Sequence, residues 1–227
     1  MAEYELKEKR FIVMGASGGL GSRIASELAA RGTRLVLAAR NAERLEALDV
    51  EGVRAPADVT LFADCERVVA AAREAYEGID GVVNAAGVVA FGPLGRTSPE
   101  ILRRVFEVNA LGPLYLLQAA LPHMTEGVVV NISAIVVERP MANLAPYCAA
   151  KAALAAATRA LNLELKLGGK QIRCIDVRPP HTETGLATRP IAGKAPKLPA
   201  GLEPERVAKR IVEAIENGET EVPSNAF

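Results

Sequence analysis

The sequence predicts a doubly wound α/β fold, a parallel sheet with helices packed on both faces. Three observations carry the prediction. Short apolar runs alternate with stretches of helical spacing about 10 to 20 residues long, the rhythm of βαβ units. A glycine-rich turn separates the first apolar run from the first helix. The 227 residues are 50% hydrophobic and 24% charged with no linker-like stretch, so residues 1–227 read as a single domain able to bury a large core.

Arg10 to Met14 is an apolar run stopped by glycines, and Gly19 to Arg31 repeats Leu20, Ile24 and Leu28 at helical spacing. Thr33 to Ala39 is a near-continuous apolar strand, Asn41 supplies an N-cap for a helix through Leu48, and Val53 to Ala55 is a third short strand. A helix over about Leu61 to Tyr76 leads to a buried strand, Ile79 to Val83. Helical stretches from Pro99 to Met124 precede a strand, Gly127 to Ile132. An Ala-rich helix, Pro146 to Leu167, is followed by the strand Gln171 to Val177. Beyond an irregular stretch rich in Pro and Gly come a helix, Pro204 to Glu216, and a last strand, Thr220 to Pro223. Strands this uniformly apolar are buried on both faces, which calls for a parallel sheet. Ligands in such sheets bind beyond the carboxyl ends of the strands, so the residues just after each strand are the candidates for function.

Composition narrows the partners. Lys plus Arg and Asp plus Glu balance at 27 each, leaving no general field to attract nucleic acid or an anionic membrane. Cys65, Cys148 and Cys174 are scattered without a CxxC or a His cluster, so neither a disulfide framework nor a metal site is expected, and reduced thiols suit the cytoplasm. Met1 to Arg10 is charged and lacks an apolar signal core. No apolar run reaches the roughly 18 residues of a membrane span, so a soluble protein is expected. His123, beside Pro122, reads as structural, and Cys148 as a small helix filler.

The glycine turn, Gly15-Ala16-Ser17-Gly18-Gly19-Leu20-Gly21, follows the first strand and opens the first helix, where backbone N–H groups and the helix dipole favour a pyrophosphate. Its spacing is Gly-x3-Gly-x-Gly instead of the common GxGxxG. An acidic residue at the end of the second strand would mark NAD by bonding the ribose hydroxyls. Ala38, Ala39 and Arg40 stand there instead. A guanidinium can take a 2'-phosphate through paired hydrogen bonds, so Arg40 points to NADP(H) over NAD(H), with a solvated Arg40 or an Arg40–Glu43 pair as the alternative.

Tyr147 and Lys151, four apart, share one face of the Ala-rich helix. A phenol titrates near 10, and a neighbouring ammonium favours its ionised form, bringing it toward acid–base work at neutral pH. Ser133 directly follows the strand ending at Ile132, at the binding edge, where its hydroxyl is positioned to hold a substrate carbonyl.

With these residues in order, the chain resembles the short-chain dehydrogenase/reductase family from about Phe11 to Thr184. The match rests on Gly15-x3-Gly19-x-Gly21, Asp58-Val59, Asn84-Ala85-Ala86-Gly87, Asn109, Ser133 and Tyr147-x3-Lys151. The resemblance implies a Rossmann-type seven-stranded parallel sheet and hydride transfer at a nicotinamide. It assigns the Gly15 to Gly21 turn, including Ser17, Gly18 and Leu20, to the cofactor. Asp58 and Val59 would lie at the adenine, and Asn84 to Gly87 would support the central strands and cofactor. Ser133 would orient the carbonyl, Tyr147 would donate the proton on reduction, Lys151 would lower the Tyr147 pKa and bind ribose, and Asn109 would hold a relay water. Pro179, Thr182 and Thr184 would face the nicotinamide end, with Thr184 at the carboxamide. The family's Pro-Gly after the sixth strand is Pro179-Pro180 here, so this loop must differ locally. His181 reads as a surface loop residue.

Gly185 to Gly201, with three prolines and three glycines, suits a mobile lid over the substrate, and Ile135 to Leu144 suits an apolar wall. The expected function is NADPH-dependent reduction of a small ketone, or oxidation of the alcohol, by a homodimer or homotetramer. An NAD-dependent alcohol dehydrogenase and a catalytically silent NADP-binding sensor or scaffold are the alternatives.

Overall fold

The computed structural model describes residues 4–227; Met1, Ala2 and Glu3 of the charged N-terminal run lie outside them. Seven parallel strands form one sheet: β1 (Arg10–Met14), β2 (Arg34–Ala39), β3 (Val53–Pro56), β4 (Gly81–Asn84), β5 (Glu126–Ile132), β6 (Gln171–Val177) and β7 (Glu221–Val222). Their spatial order is β3-β2-β1-β4-β5-β6-β7. The direction of strand addition reverses between β1 and β4. A crevice therefore opens beyond their carboxyl ends, where doubly wound sheets take their ligands.

The helices are α1 (Gly19–Ala30), α2 (Ala42–Glu46), α3 (Phe62–Tyr76), α4 (Pro99–Phe106), α5 (Gly112–Ala120), α6 (Ala145–Leu167) and α7 (Pro204–Glu216). Strand side chains alternate between two core layers, as period-2 geometry requires. Phe11, Val13, Leu35 and Leu37 pack on one face with Ile24 and Leu28 of α1 and with Val207, Ile211 and Ile215 of α7. Ile12, Met14, Val36 and Val82 pack on the other with Val68 and Val69 of α3 and with Leu116 and Leu117 of α5.

The helical stretches read over Pro99 to Met124 are α4, a π turn (Glu107–Leu111), α5 and a 3-10 turn (Leu121–His123). Pro113 accounts for the π turn: it has no N–H to close the usual bond to the Asn109 carbonyl, so the coil widens ahead of it. Asn41 caps α2 as expected, its side chain accepting from the Arg44 N–H, but the helix ends at Glu46.

One row of register positions the chemistry. Met14, Asn84, Asn131 and Asp176 lie side by side across β1, β4, β5 and β6, at or near the carboxyl ends. Asn84 donates to Asn131 Oδ1 at 2.8 Å, and Asn131 donates to Thr158 Oγ1 of α6 at 2.9 Å, so α6 is moored to the sheet through buried polar groups.

Candidate active site

A cavity of about 470 Å3 follows the carboxyl ends of the strands. The sheet order separates its two ends: β2 and β5 are three strand spacings apart, about 14 Å.

At the β1–β2 end, Gly15 has φ +89°, and a Cβ there would stand 2.5 Å from the Ala86 nitrogen, so only glycine lets the turn pass the loop after β4. The turn delivers α1 with Gly18 at its N-cap, no side chain capping it and no acidic residue in its first turn. The N–H groups and the positive end of the dipole are left for an anion. Gly15, Ser17, Gly18, Gly19 and Leu20 line the cavity with Arg40, and so does Arg44, which sequence reasoning missed. Arg44 reaches back from α2 to the Ser17 carbonyl at 2.9 Å, a contact across 27 residues that only the fold creates. Gly21 stands behind the cavity, pressed against the Gly15 carbonyl.

Asp58 and Val59, after β3, also line this end. Burial works to raise the Asp58 pKa, but the Thr60 N–H and hydroxyl and Arg104 outweigh it and hold the carboxyl below its ordinary range. Asp64, in the first turn of α3, accepts from the Asp58 N–H at 2.8 Å.

At the β4–β5 end, α6 starts at Ala145 and presents Tyr147 and Lys151 to the cavity one turn apart. Lys151 Nζ donates to the Ile132 carbonyl at 2.7 Å and lies 5.8 Å from the centre of the Tyr147 ring. A Cβ on Gly87 would meet Asn109 Oδ1 at 3.2 Å and Lys151 Nζ at 3.9 Å, so Gly87, Asn109 and Lys151 crowd one point. Ala85, Ala86 and Gly87 line the cavity, whereas Asn84 and Asn109 are buried behind it. Asn84 Oδ1 has no partner among the described residues.

Three side chains expected in the chemistry have partners of their own within the fold. The Ser133 hydroxyl, expected to hold a carbonyl, donates to Asp176 Oδ1 at 2.6 Å with Val177 O 3.0 Å away. A hydroxyl has one proton, so it would have to turn from Asp176 to meet a carbonyl. Asn109 was expected to hold a relay water; its side chain spends both Nδ2 protons on the Val88 and Val105 carbonyls and accepts from the Val88 N–H, so that role would fall to its backbone carbonyl, which Pro113 has no N–H to meet. The lowering of the Tyr147 pKa expected from Lys151 is opposed by burial, which holds that phenol above its ordinary value. Burial also pulls Lys151 down to about 8, against the opposing charge of Asp176.

After β6, Pro179, Pro180, His181, Thr182 and Thr184 all line the cavity. Thr184 rests on the glycine turn: a Cβ on Gly19 would come within 2.8 Å of Thr184 Cα. Thr182 closes on Pro180 through its hydroxyl at 2.9 Å and pairs as an isolated bridge with Leu202. His181, in the loop after β6 with its side chain 27% exposed, lines the cavity with Nε2 3.4 Å from Glu183 Oε1. The 185–201 segment crosses to the loop after β4, where Phe91 N–H donates to Ala192 O and Ile191 N–H to Val89 O.

A second, more open depression of about 620 Å3 between α6 and the start of β6 holds none of these residues. Among the described residues there is no cluster of three or more His, Cys, Asp or Glu able to hold a metal, and no helix long and apolar enough to cross a membrane.

The family model for short chain dehydrogenases matches residues 9–194. The chain belongs to that family. This member is 30% identical over 218 residues to an uncharacterized oxidoreductase of Staphylococcus epidermidis, covering 93% of this chain and 92% of that one. It is 33% identical over 193 residues to an L-xylulose reductase of Caenorhabditis elegans, covering 82% and 76%. A solved short chain dehydrogenase/reductase from Burkholderia phymatum in complex with NAD superposes with a TM-score of 0.86 at 25% identity, covering 97% of this chain and 90% of that one. The short chain dehydrogenase described here is thus an NAD(P)-dependent oxidoreductase with the seven-stranded parallel sheet that its sequence suggested.

Proposed function

We propose that this enzyme interconverts a small ketone or aldehyde and its alcohol, with NADP(H) preferred over NAD(H) and Tyr147 as the proton donor and acceptor. The observation that carries the chemistry is the pairing of Tyr147 with Lys151 at one end of a cavity whose other end is a glycine turn. The residues fit the dinucleotide: the positive φ and close approach at Gly15, the uncapped start of α1 and two guanidinium groups form an anion cradle.

Bound NADP(H) would supply or accept the hydride. Gly15, Ser17, Gly18, Gly19 and Leu20 would hold its pyrophosphate, Asp58 and Val59 its adenine end, and Ala85, Ala86, Gly87, Lys151, Pro179, Thr182 and Thr184 its nicotinamide half. Arg40 and Arg44 support the preference for the 2'-phosphate, since a guanidinium and no carboxylate stands directly after β2. On reduction Tyr147 gives its hydroxyl proton to the carbonyl oxygen, and on oxidation it takes the proton back. The Lys151 cation stabilises the phenolate left behind. Exposed Leu61, Phe62 and Leu111 support self-association.

Titrating the protein with NADPH and NADH and following a carbonyl panel by cofactor absorbance tests the proposal. At least tenfold tighter NADPH binding and loss of turnover in Tyr147→Phe are expected. Equal affinities would overturn the preference, and surviving turnover would overturn the proton donor.

A further inference from the structure

The cavity end around Tyr147 opens on the third cluster of the hydrophobic core. Val89 and Phe91 after β4, Val136 and Leu144 after β5, and Leu186 and Ile191 of the 185–201 segment are members of that cluster and line the cavity. Met141, 40% exposed and among the few exposed large apolar side chains, lines it as well.

The polar groups nearby are already engaged. Ser133 gives its proton to Asp176, His181 faces Glu183, and Arg189 donates to the Gly185 and Thr184 carbonyls. With Lys151 and Thr184 assigned to the cofactor, Tyr147 is the side-chain donor left to meet a substrate there. Each additional hydroxyl of an entering molecule would lose its water without gaining a partner, a penalty of roughly tenfold or more in affinity. Each methylene would gain about three- to fourfold from burial.

We infer that the substrate is a ketone or aldehyde with hydrocarbon flanks, and that the site discriminates against polyhydroxylated carbonyls. The inference rests on the carbonyl–alcohol function proposed above. It separates this chain from the sugar named for its Caenorhabditis elegans relative.

The test compares 2-butanone, 2-hexanone and 2-octanone with xylulose, using the full chain and NADPH. Binding of 2-octanol and xylitol is followed independently by ligand-observed NMR. The kcat/KM should climb about threefold per methylene, xylulose should fall at least 100-fold below 2-octanone, and 2-octanol alone should bind. Val136→Asp should lower kcat/KM for 2-octanone at least tenfold while NADPH affinity stays within twofold. Met141→Asp, at an exposed position, asks the same question if Val136→Asp does not fold. A flat chain-length series, or xylulose turned over as well as 2-octanone, overturns the substrate class and leaves the reductase function standing. Absence of turnover with any carbonyl overturns the function itself, and the NMR comparison then decides whether the cavity is selective for apolar molecules.

Discussion

Ser133 donates its hydroxyl proton to Asp176 across 2.6 Å, and Asp176 in turn accepts from the Arg178 guanidinium at 2.7 Å. Both Ser133 and Asp176 are buried, and Arg178 extends the network to Glu138 and Glu221. This chain of charge-assisted bonds ties the end of β5 to β6 beneath the wall of the cavity. On this geometry we propose Ser133 as a positioning residue. Ser133→Ala should lower kcat/KM by less than about tenfold, against the 10²- to 10⁴-fold expected for Tyr147→Phe. It should still cost about 1–3 kcal/mol of stability by leaving Asp176 short of a donor. Steady-state kinetics and a melting curve on the same preparation check both, and a Ser133→Ala enzyme as slow as Tyr147→Phe would return the serine to the carbonyl.

Arg40 and Arg44 approach the cavity from the loop after β2 and from α2. If both meet a 2'-phosphate, each supplies a charge-assisted bond worth about 1.5–3 kcal/mol. The double variant Arg40→Ala/Arg44→Ala should then weaken NADPH at least 100-fold and leave NADH within about threefold. Calorimetric Kd values measure this, and a parallel loss for both cofactors would place the arginines on the shared part of the molecule instead.

Strand and helix positions were legible because burial on both faces writes itself as uninterrupted apolar runs such as Leu35 to Ala39, and because Leu20, Ile24 and Leu28 repeat at helical spacing. The π turn at Asn109 was not, since one proline without an N–H leaves the surrounding periodicity intact. At the site, Tyr147 and Lys151 were legible because one helix carries both. The partner of Ser133 lies 43 residues away on another strand, and Arg44 finds Ser17 only once α2 folds over the glycine turn. The direction of the Tyr147 shift was hidden for the same reason: the sequence gives the neighbouring ammonium but not the burial, which dominates.

Burial lowers Lys151 from 10.5 to about 8, which fixes two pH dependences. If its cation supports proton transfer, kcat/KM should fall as pH rises through about 8. Stability moves the other way. Between about 8 and 10.5 the unfolded chain holds a proton on this lysine that the folded chain has lost, so its contribution to stability rises with pH. In Lys151→Met that contribution is absent. The unfolding free energy of the variant relative to the parent should be highest near pH 7 and decline toward pH 10, by about 3 kcal/mol in order of magnitude, as denaturant melts at each pH would show. A gap constant from pH 7 to 10 would mean that Lys151 keeps an ordinary pKa in the folded state.

Asn162, on α6, stands in for a missing strand. Because β7 has only two residues, the start of β6 has no strand on its outer side, and the Asn162 amide fills the place. Its Nδ2 donates to the Cys174 carbonyl at 2.8 Å and its Oδ1 accepts from the Cys174 N–H at 2.7 Å. Cys174 is fully buried, so neither backbone group has water to turn to. Asn162→Leu leaves both unsatisfied and should cost about 2–4 kcal/mol, a drop in Tm of roughly 5–15 °C for a chain of this size. The substitution is remote from Tyr147, so turnover per folded molecule should be unchanged below the transition. A Tm within 2 °C of the parent would show that β6 keeps its edge satisfied without the amide.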